Sequence, residues 1–138
     1  MGIKVLVVDD NNMMRGFLEK TVKTEKLVSE VFAAENGQKA LDLIDRHKPD
    51  MVVMDVEMPV MDGLSALKEI KDRQKTGKIN PKLKVIILSG TMYENDANVR
   101  KAKFLGAHAV MAKPGGKNFS LSADVGESLL KNIREVVG

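Results

Sequence analysis

The chain has 138 residues, 43% of them hydrophobic, and a formal net charge of +3, which suits one compact domain, residues 1–138, with a single core. It contains no cysteine, so disulfides and thiolate metal sites are excluded. The longest apolar run is far short of a membrane span and no signal peptide opens the sequence, so a soluble, cytoplasmic protein without a membrane partner is expected.

Strand and helix patterns alternate along the chain. Ile3–Val8 is a short β-branched run bounded by polar residues and reads as a fully buried strand. It runs into Asp9-Asp10, after which Asn11 or Asn12 can cap a helix whose core face carries Met14, Leu18, Thr21 and Val22 at helical spacing. Val28–Ala34 reads as a second strand, followed by the turn Glu35-Asn36-Gly37. Ala40, Leu41 and Ile44 mark a helix that ends before Pro49, which disfavours helix at Lys48.

Met51–Met54 is the third strand and stops at Asp55. Met58-Pro59 then breaks the chain, and Asp62-Gly63 turns it, Gly63 reading as a turn residue only. Leu64, Leu67 and Ile70 line a third helix that fades into residues 75–81. Val85–Leu88 stops at Ser89-Gly90. Val99, Ala102 and Leu105 give a more polar fourth helix that Gly106 can terminate. Ala109–Ala112 stops at Lys113-Pro114, and Val125, Leu129, Ile133 and Val136 outline a last amphipathic helix. Five successive strand–helix units predict an α/β fold, a parallel sheet covered on both faces through right-handed crossovers.

In such a sheet the carboxyl ends of the strands share one edge, where ligands bind. Asp9, Asp10, Asp55, Ser89 and Lys113 therefore converge although they are spread along the chain. Three carboxylates together repel one another unless a proton or a cation intervenes, and Mg²⁺ suits oxygen ligands of this kind. Asp55 beside such a cation can act as a nucleophile toward a phosphoryl group, with Lys113 countering the charge on the transferred oxygens. A cis bond at Pro114 is one way to turn Lys113 toward Asp55. Ser89, taken alone, equally satisfies backbone at a strand end.

Lys68, Lys71, Lys75, Lys78, Lys82 and Lys84, with Arg73, cluster around residues 67–84. They read as a solvated face rather than a nucleic-acid footprint, because stacking aromatics are absent there. His47 and His108 lack a metal-ligand partner at a strand end and read as bystanders. Asn118-Phe119-Ser120 matches a glycosylation sequon by chance in a chain without a secretory signal.

Val8-Asp9-Asp10, Asp55 with Met58-Pro59 and Asp62-Gly63 behind it, Ser89-Gly90 and Lys113-Pro114 resemble, in order, the motifs of response-regulator receiver domains, over essentially the whole chain. The resemblance implies a flavodoxin-like (βα)5 doubly wound sheet with strand order 2-1-3-4-5. It implies that Asp55 accepts phosphate from a phosphohistidine on a sensor histidine kinase. Mg²⁺ would be held directly by Asp10, Asp55 and the Glu57 main-chain carbonyl, and through water by Asp9. Ser89 and Lys113 would grip the phosphoryl oxygens.

A finer resemblance, in residues 55–64 and 113–116, is to chemotaxis receivers, most of all to the regulatory domain of the chemotaxis glutamate methylesterase. It implies a chemotaxis-type kinase and an output partner on the face of the fourth helix, fifth strand and fifth helix. No esterase triad can be assigned in this sequence, so the only catalysis implied is the domain's own phosphorylation and dephosphorylation. Val110 stands where many receivers carry Tyr or Phe. Glu57 either tunes phosphate lifetime or faces solvent.

Two other readings are weaker. Haloacid-dehalogenase-like phosphatases share a strand-end aspartate, a Ser/Thr and a lysine, but favour Asp where Glu57 stands and carry their acidic pair late in the chain. A scaffold receiver that is never phosphorylated would not need the full acidic set. No nucleic-acid partner is expected, since no recognition helix is left over.

Overall fold

The computed structural model describes residues 2–90, 96–113 and 123–138. The Lys113-Pro114 turn and the Asn118 sequon lie outside them, as does the Val125 side chain. Ten elements alternate: β1 Ile3–Val8, α1 Asn12–Lys23, β2 Val28–Ala34, α2 Gly37–His47, β3 Met51–Asp55, α3 Gly63–Lys75, β4 Lys84–Ser89, α4 Ala97–Phe104, β5 Ala109–Ala112 and α5 Ala123–Val137. The strands form one parallel sheet in the order β2-β1-β3-β4-β5, the predicted flavodoxin-like arrangement.

Period-two alternation along the strands feeds two cores. Leu6, Val8, Val52, Met54, Val85 and Ile87 face one side, where Leu41 and Ile44 of α2, Leu67 and Ile70 of α3 and Ala102 of α4 cover them. Val5, Val7, Met51, Val53, Ile86 and Leu88 face the other, against Leu18 and Val22 of α1 and Leu129 and Ile133 of α5. Because both faces are buried, the strands read as continuous apolar runs.

Each described helix start after a strand has a side-chain cap. Asn11 Oδ1 accepts from Met14 N–H at 2.9 Å, Asn36 Oδ1 from Lys39 N–H at 2.9 Å, and Asp62 Oδ1 from Ser65 N–H at 2.8 Å. Asp96 Oδ1 accepts from Asn98 N–H at 2.9 Å. These caps satisfy donors that the first helical turn leaves unpaired. α4 ends at Phe104, and Gly106 takes the left-handed conformation at φ +97° just beyond it, as its position predicts.

Two features differ from expectation. β3 and β4 each extend one residue further, so Asp55 pairs with Leu88 and Ser89 with Ala112. The chemistry-bearing residues are thus held in the ladder itself rather than in the loops behind it. The α3–β4 connection is also not wholly solvated. Ile79 and Leu83 are buried and belong to the core beneath α2 and α3, and isolated apolar residues in a lysine-rich stretch carry no periodic signal.

Candidate metal and phosphoryl site

The carboxyl edge of β1, β3 and β5 brings the predicted residues together. One carboxylate oxygen each of Asp9, Asp10 and Asp55 can be chosen so that all lie within 4.8 Å of one another. Asp9 is 0% and Asp55 3% exposed, while Asp10 is open to solvent. Lys113 Nζ reaches across from the end of β5, 2.6 Å from Asp55 Oδ2 and 3.5 Å from Asp9 Oδ2. Its backbone is set by the sheet, since Lys113 N–H donates to Ser89 carbonyl oxygen at 2.7 Å. Ser89 itself is buried at the end of β4.

Burial pushes the Asp9 and Asp55 carboxyls above their ordinary value, because removing a carboxylate from water penalises its charged form. For Asp9 the Asn11 N–H, at 2.9 Å from Oδ1, and then Lys113 pull it partly back. For Asp55 the hydrogen bond from Lys113 does so, and the Asp9 charge opposes it. Burial pulls Lys113 down, but its bond to Asp55 and the fields of Asp55 and Asp9 outweigh this and leave the ammonium favoured.

Asp9 Oδ2 is buried and accepts no hydrogen bond. Three carboxylates and one ammonium leave two formal negative charges in the cluster. A buried, unsatisfied acidic oxygen in an all-oxygen donor set fits a hard divalent cation. Above the cluster opens a cavity of about 680 Å³, whose walls include Asp10, Asn11, Asp55, Glu57, Asn98 and Lys113.

Neighbouring elements place these groups. Arg15 Nη1 donates to the Asp9 carbonyl at 2.9 Å and ties the acidic pair to α1. Gly63 N–H donates to Val56 carbonyl oxygen at 2.8 Å, and a Cβ at Gly63 would lie 2.0 Å from the Asp55 carbonyl oxygen. Gly63 is therefore more than a turn residue: α3 starts so close behind the candidate nucleophile that only hydrogen fits. A glycine after Asp62 is a visible turn signal, but the contact arises only when the loop folds back.

Asn98, on the first turn of α4, is the lining residue that sequence reasoning missed, since a polar residue on a polar helix carries no signal. His47 and His108 sit away from the site. His47 stacks on Phe32 with ring centroids 4.2 Å apart, and His108 Nδ1 accepts from Val85 N–H at the opposite end of β4. In the lysine-rich segment, Lys68 pairs with Asp72 and Arg73 with Glu69 and Asp45. Among the described residues no helix is long and apolar enough to cross a membrane.

Residues 5–123 match the response regulator receiver domain family. The protein-glutamate methylesterase/protein-glutamine glutaminase 1 of Rhodospirillum rubrum is 34% identical over 137 residues, 99% of this chain and 34% of its own length. Its counterpart from Syntrophomonas wolfei is 40% identical over 131 residues, 95% of this chain and 35% of its own length. The chain thus spans about a third of these relatives. The response regulator domain of Thermotoga maritima CheB superposes with a TM-score of 0.82 at 33% identity, covering 99% of this chain and 96% of that one. The chemotaxis response regulator CheY4 of Vibrio cholerae superposes at 0.78 with 26% identity, covering 99% of both chains. With the acidic triad, the lysine and the sheet order all in place, the chain belongs to the response-regulator receiver domains, with likeness to those of CheB and CheY.

Proposed function

We propose that this receiver takes a phosphoryl group onto Asp55 from a phosphohistidine of a sensor histidine kinase, and switches its surface in response. The observation that carries the reading is the 2.6 Å contact between Lys113 Nζ and Asp55 Oδ2 beside the otherwise unsatisfied Asp9 Oδ2. Asp10 and Asp55, with the Glu57 main-chain carbonyl, would hold Mg²⁺ directly, and Asp9 would hold it through water. When bound, the ion supplies positive charge for the phosphoryl oxygens.

The chain's own residues do the rest. Burial and the ladder pairing with Leu88 hold Asp55 in one place, so its carboxylate oxygen can attack phosphorus in line. The new bond joins phosphorus to Asp55 oxygen, and the bond to the donor nitrogen breaks, its electron pair staying on the imidazole. Lys113 exchanges a carboxylate partner for a phosphoryl oxygen, and the Ser89 hydroxyl at the end of β4 donates to another. The phosphoryl group shifts the surface equilibrium only by the difference in its contacts with Ser89 and Lys113 between the two states.

Likeness to a chemotaxis regulator and to methylesterase receiver domains supports a chemotaxis-type kinase, a cytoplasmic setting and an output partner on the α4–β5–α5 face. Val110, in β5, packs against the core that includes Ala102 of α4 and has no ring to rotate, so the surface change would travel through α4 and β5 by a rearrangement other than an aromatic rotamer. The only chemistry proposed for this domain is its own phosphorylation and dephosphorylation.

Intact mass after incubation with acetyl phosphate and Mg²⁺ tests this. One phosphoryl group should be gained with Mg²⁺ present, and none when chelator is present from the start or in Asp55→Asn. A folded, Mg²⁺-binding wild type that gains nothing from either acetyl phosphate or a phosphorylated kinase histidine domain would overturn the reading in favour of a scaffold.

A further inference from the structure

We propose that Lys71, Lys84 and His108 form a second site, at the amino edge of the sheet, that binds a phosphate-class dianion. Lys84 opens β4 and Ser89 closes it, so this site lies at the far end of the strand from the acidic cluster. It does not depend on the phosphoacceptor reading.

Three elements bring these donors together. The His108 ring is bonded to the peptide that joins Lys84 to Val85: Val85 N–H donates to His108 Nδ1 at 3.1 Å, and His108 N–H donates to the Val85 carbonyl oxygen at 2.8 Å. Lys84 is held in turn, since its own N–H donates to the Asp50 carbonyl oxygen at 3.0 Å. Lys71 reaches over from α3 and lies across Gly106, two residues before His108. A Cβ built at Gly106 would stand 3.1 Å from Lys71 Cε and 3.4 Å from its Nζ.

No carboxylate answers these groups. The acidic side chains of the lysine-rich segment are taken: Asp72 pairs with Lys68, and Glu69, with Asp45 of α2, pairs with Arg73. Neither the Lys71 nor the Lys84 ammonium makes an ion pair or hydrogen bond with a described residue. Burial, then the Lys84 charge, holds Lys71 below the ordinary lysine value, and burial, then both lysines, depresses His108. Like charges close enough to be felt in this way disfavour one another until an anion intervenes. Because Nδ1 accepts from the backbone, the neutral ring carries its proton on Nε2, and that N–H has no partner among the described residues.

A phosphate dianion suits this set better than a carboxylate or a halide. Its two negative charges match the two ammonium groups, and its several oxygens accept from both lysines and from the imidazole N–H at once. Hydrogen bonds with ionised partners on both sides are the strong ones, and lysine meets phosphate as a point charge without demanding one fixed geometry. The same chemistry recognises the free ion and a phosphoryl group carried on a small organic molecule.

NMR of the isotope-labelled chain tests this, in metal-free buffer at constant ionic strength and a pH where phosphate is mainly a dianion. Inorganic phosphate and adenosine 5′-monophosphate should give saturable shifts at His108 Nε2, at Gly106 and at the Lys71 and Lys84 side chains. Acetate and chloride should give only weak, unsaturated ones. Lys71→Gln and Lys84→Gln should each weaken phosphate binding by about tenfold, the weight of one charge-assisted hydrogen bond. Melting gives a second readout. In chloride, Lys71→Gln should melt no lower than wild type, since it removes an unanswered charge. In phosphate the wild type should gain more than the variant, the general stabilisation by phosphate being common to both. Tighter binding of the monophosphate would assign the site to a carried phosphoryl group, and equal binding to the free ion; either upholds it. Equal responses to acetate, shifts confined to the surroundings of Asp55, or unchanged affinity in both lysine variants would overturn it.

Discussion

Gly63 and Val60 show how tightly the loop after Asp55 is drawn. At Gly63 the obstacle to a side chain is the Asp55 carbonyl oxygen, 2.0 Å from where a Cβ would sit. Backbone cannot rotate out of the way as a flexible side chain can. Gly63→Ala should therefore cost at least about 1–3 kcal/mol in urea unfolding, and phosphoryl uptake should fall with it, because the atom displaced belongs to the nucleophile's own residue. Stability lost with uptake intact would separate the two. Val60 presents the opposite case. It is 83% exposed and holds φ at 68°, a left-handed conformation that costs a β-branched residue about 1–2 kcal/mol. Asparagine tolerates that conformation better, so Val60→Asn should raise the unfolding free energy by about 0.5–1 kcal/mol, read as a higher urea midpoint with an unchanged m-value.

The junction of β4 and β5 depends on His108. Its N–H donates to Val85 carbonyl oxygen at 2.8 Å, while its Nδ1 accepts from Val85 N–H at 3.1 Å. The second bond exists only when Nδ1 is unprotonated. Burial, then the charges of Lys71 and Lys84, depress the imidazole below 6.5. For a group whose folded pKa is depressed, the stabilisation is present above the unfolded value and lost as pH falls through the folded one. Melting temperature should therefore drop as pH is lowered below 6.5. In His108→Gln, which keeps an acceptor without titrating, this component of the drop should vanish. A parallel pH profile in the variant would mean that other groups carry it.

Across the whole molecule, the core is assembled around a charge cluster that opposes it. Asp9 and Asp55 are raised by burial, so without metal their contribution to stability is full below 3.8 and is lost as pH rises through the higher folded values. Asp9→Asn should accordingly melt higher than wild type in chelator near neutral pH, and the gap should close on acidification. Mg²⁺ should reverse the order. It stabilises only a protein that binds it, by about 2.7 kcal/mol at a hundredfold excess over Kd, and the wild type keeps the full acidic set. A wild type that melts identically with Mg²⁺ and with chelator would argue against a cation at this edge.

Much of this is legible in the amino-acid sequence. The boundaries of β1, β2 and β5 follow from a β-branched run in β1 and short, largely apolar stretches in β2 and β5, each ending at a charged residue, and the order Asp9-Asp10, Asp55, Ser89, Lys113 along alternating elements already placed the candidate site on one sheet edge. Those signals are local, or follow from the rule that parallel strands share a carboxyl edge. What remained hidden depended on which distant atoms a residue meets. Ile79 and Leu83 lie in a polar stretch, yet they fill a hole beneath α2 and α3. Gly63 looks like any turn glycine until α3 closes behind Asp55, and Asn98 looks like any surface asparagine until α4 brings it over the cavity. Sequence by itself determined the alternating elements, the parallel sheet and the chemical set, because periodicity and residue type encode burial and reactivity along the chain; the strand order came from the resemblance to receiver domains. Only the tertiary structure decided that Lys113 bonds Asp55, that Asp9 Oδ2 is left unsatisfied, and that Glu57 and Asn98 share a cavity, because distances between remote side chains come from packing.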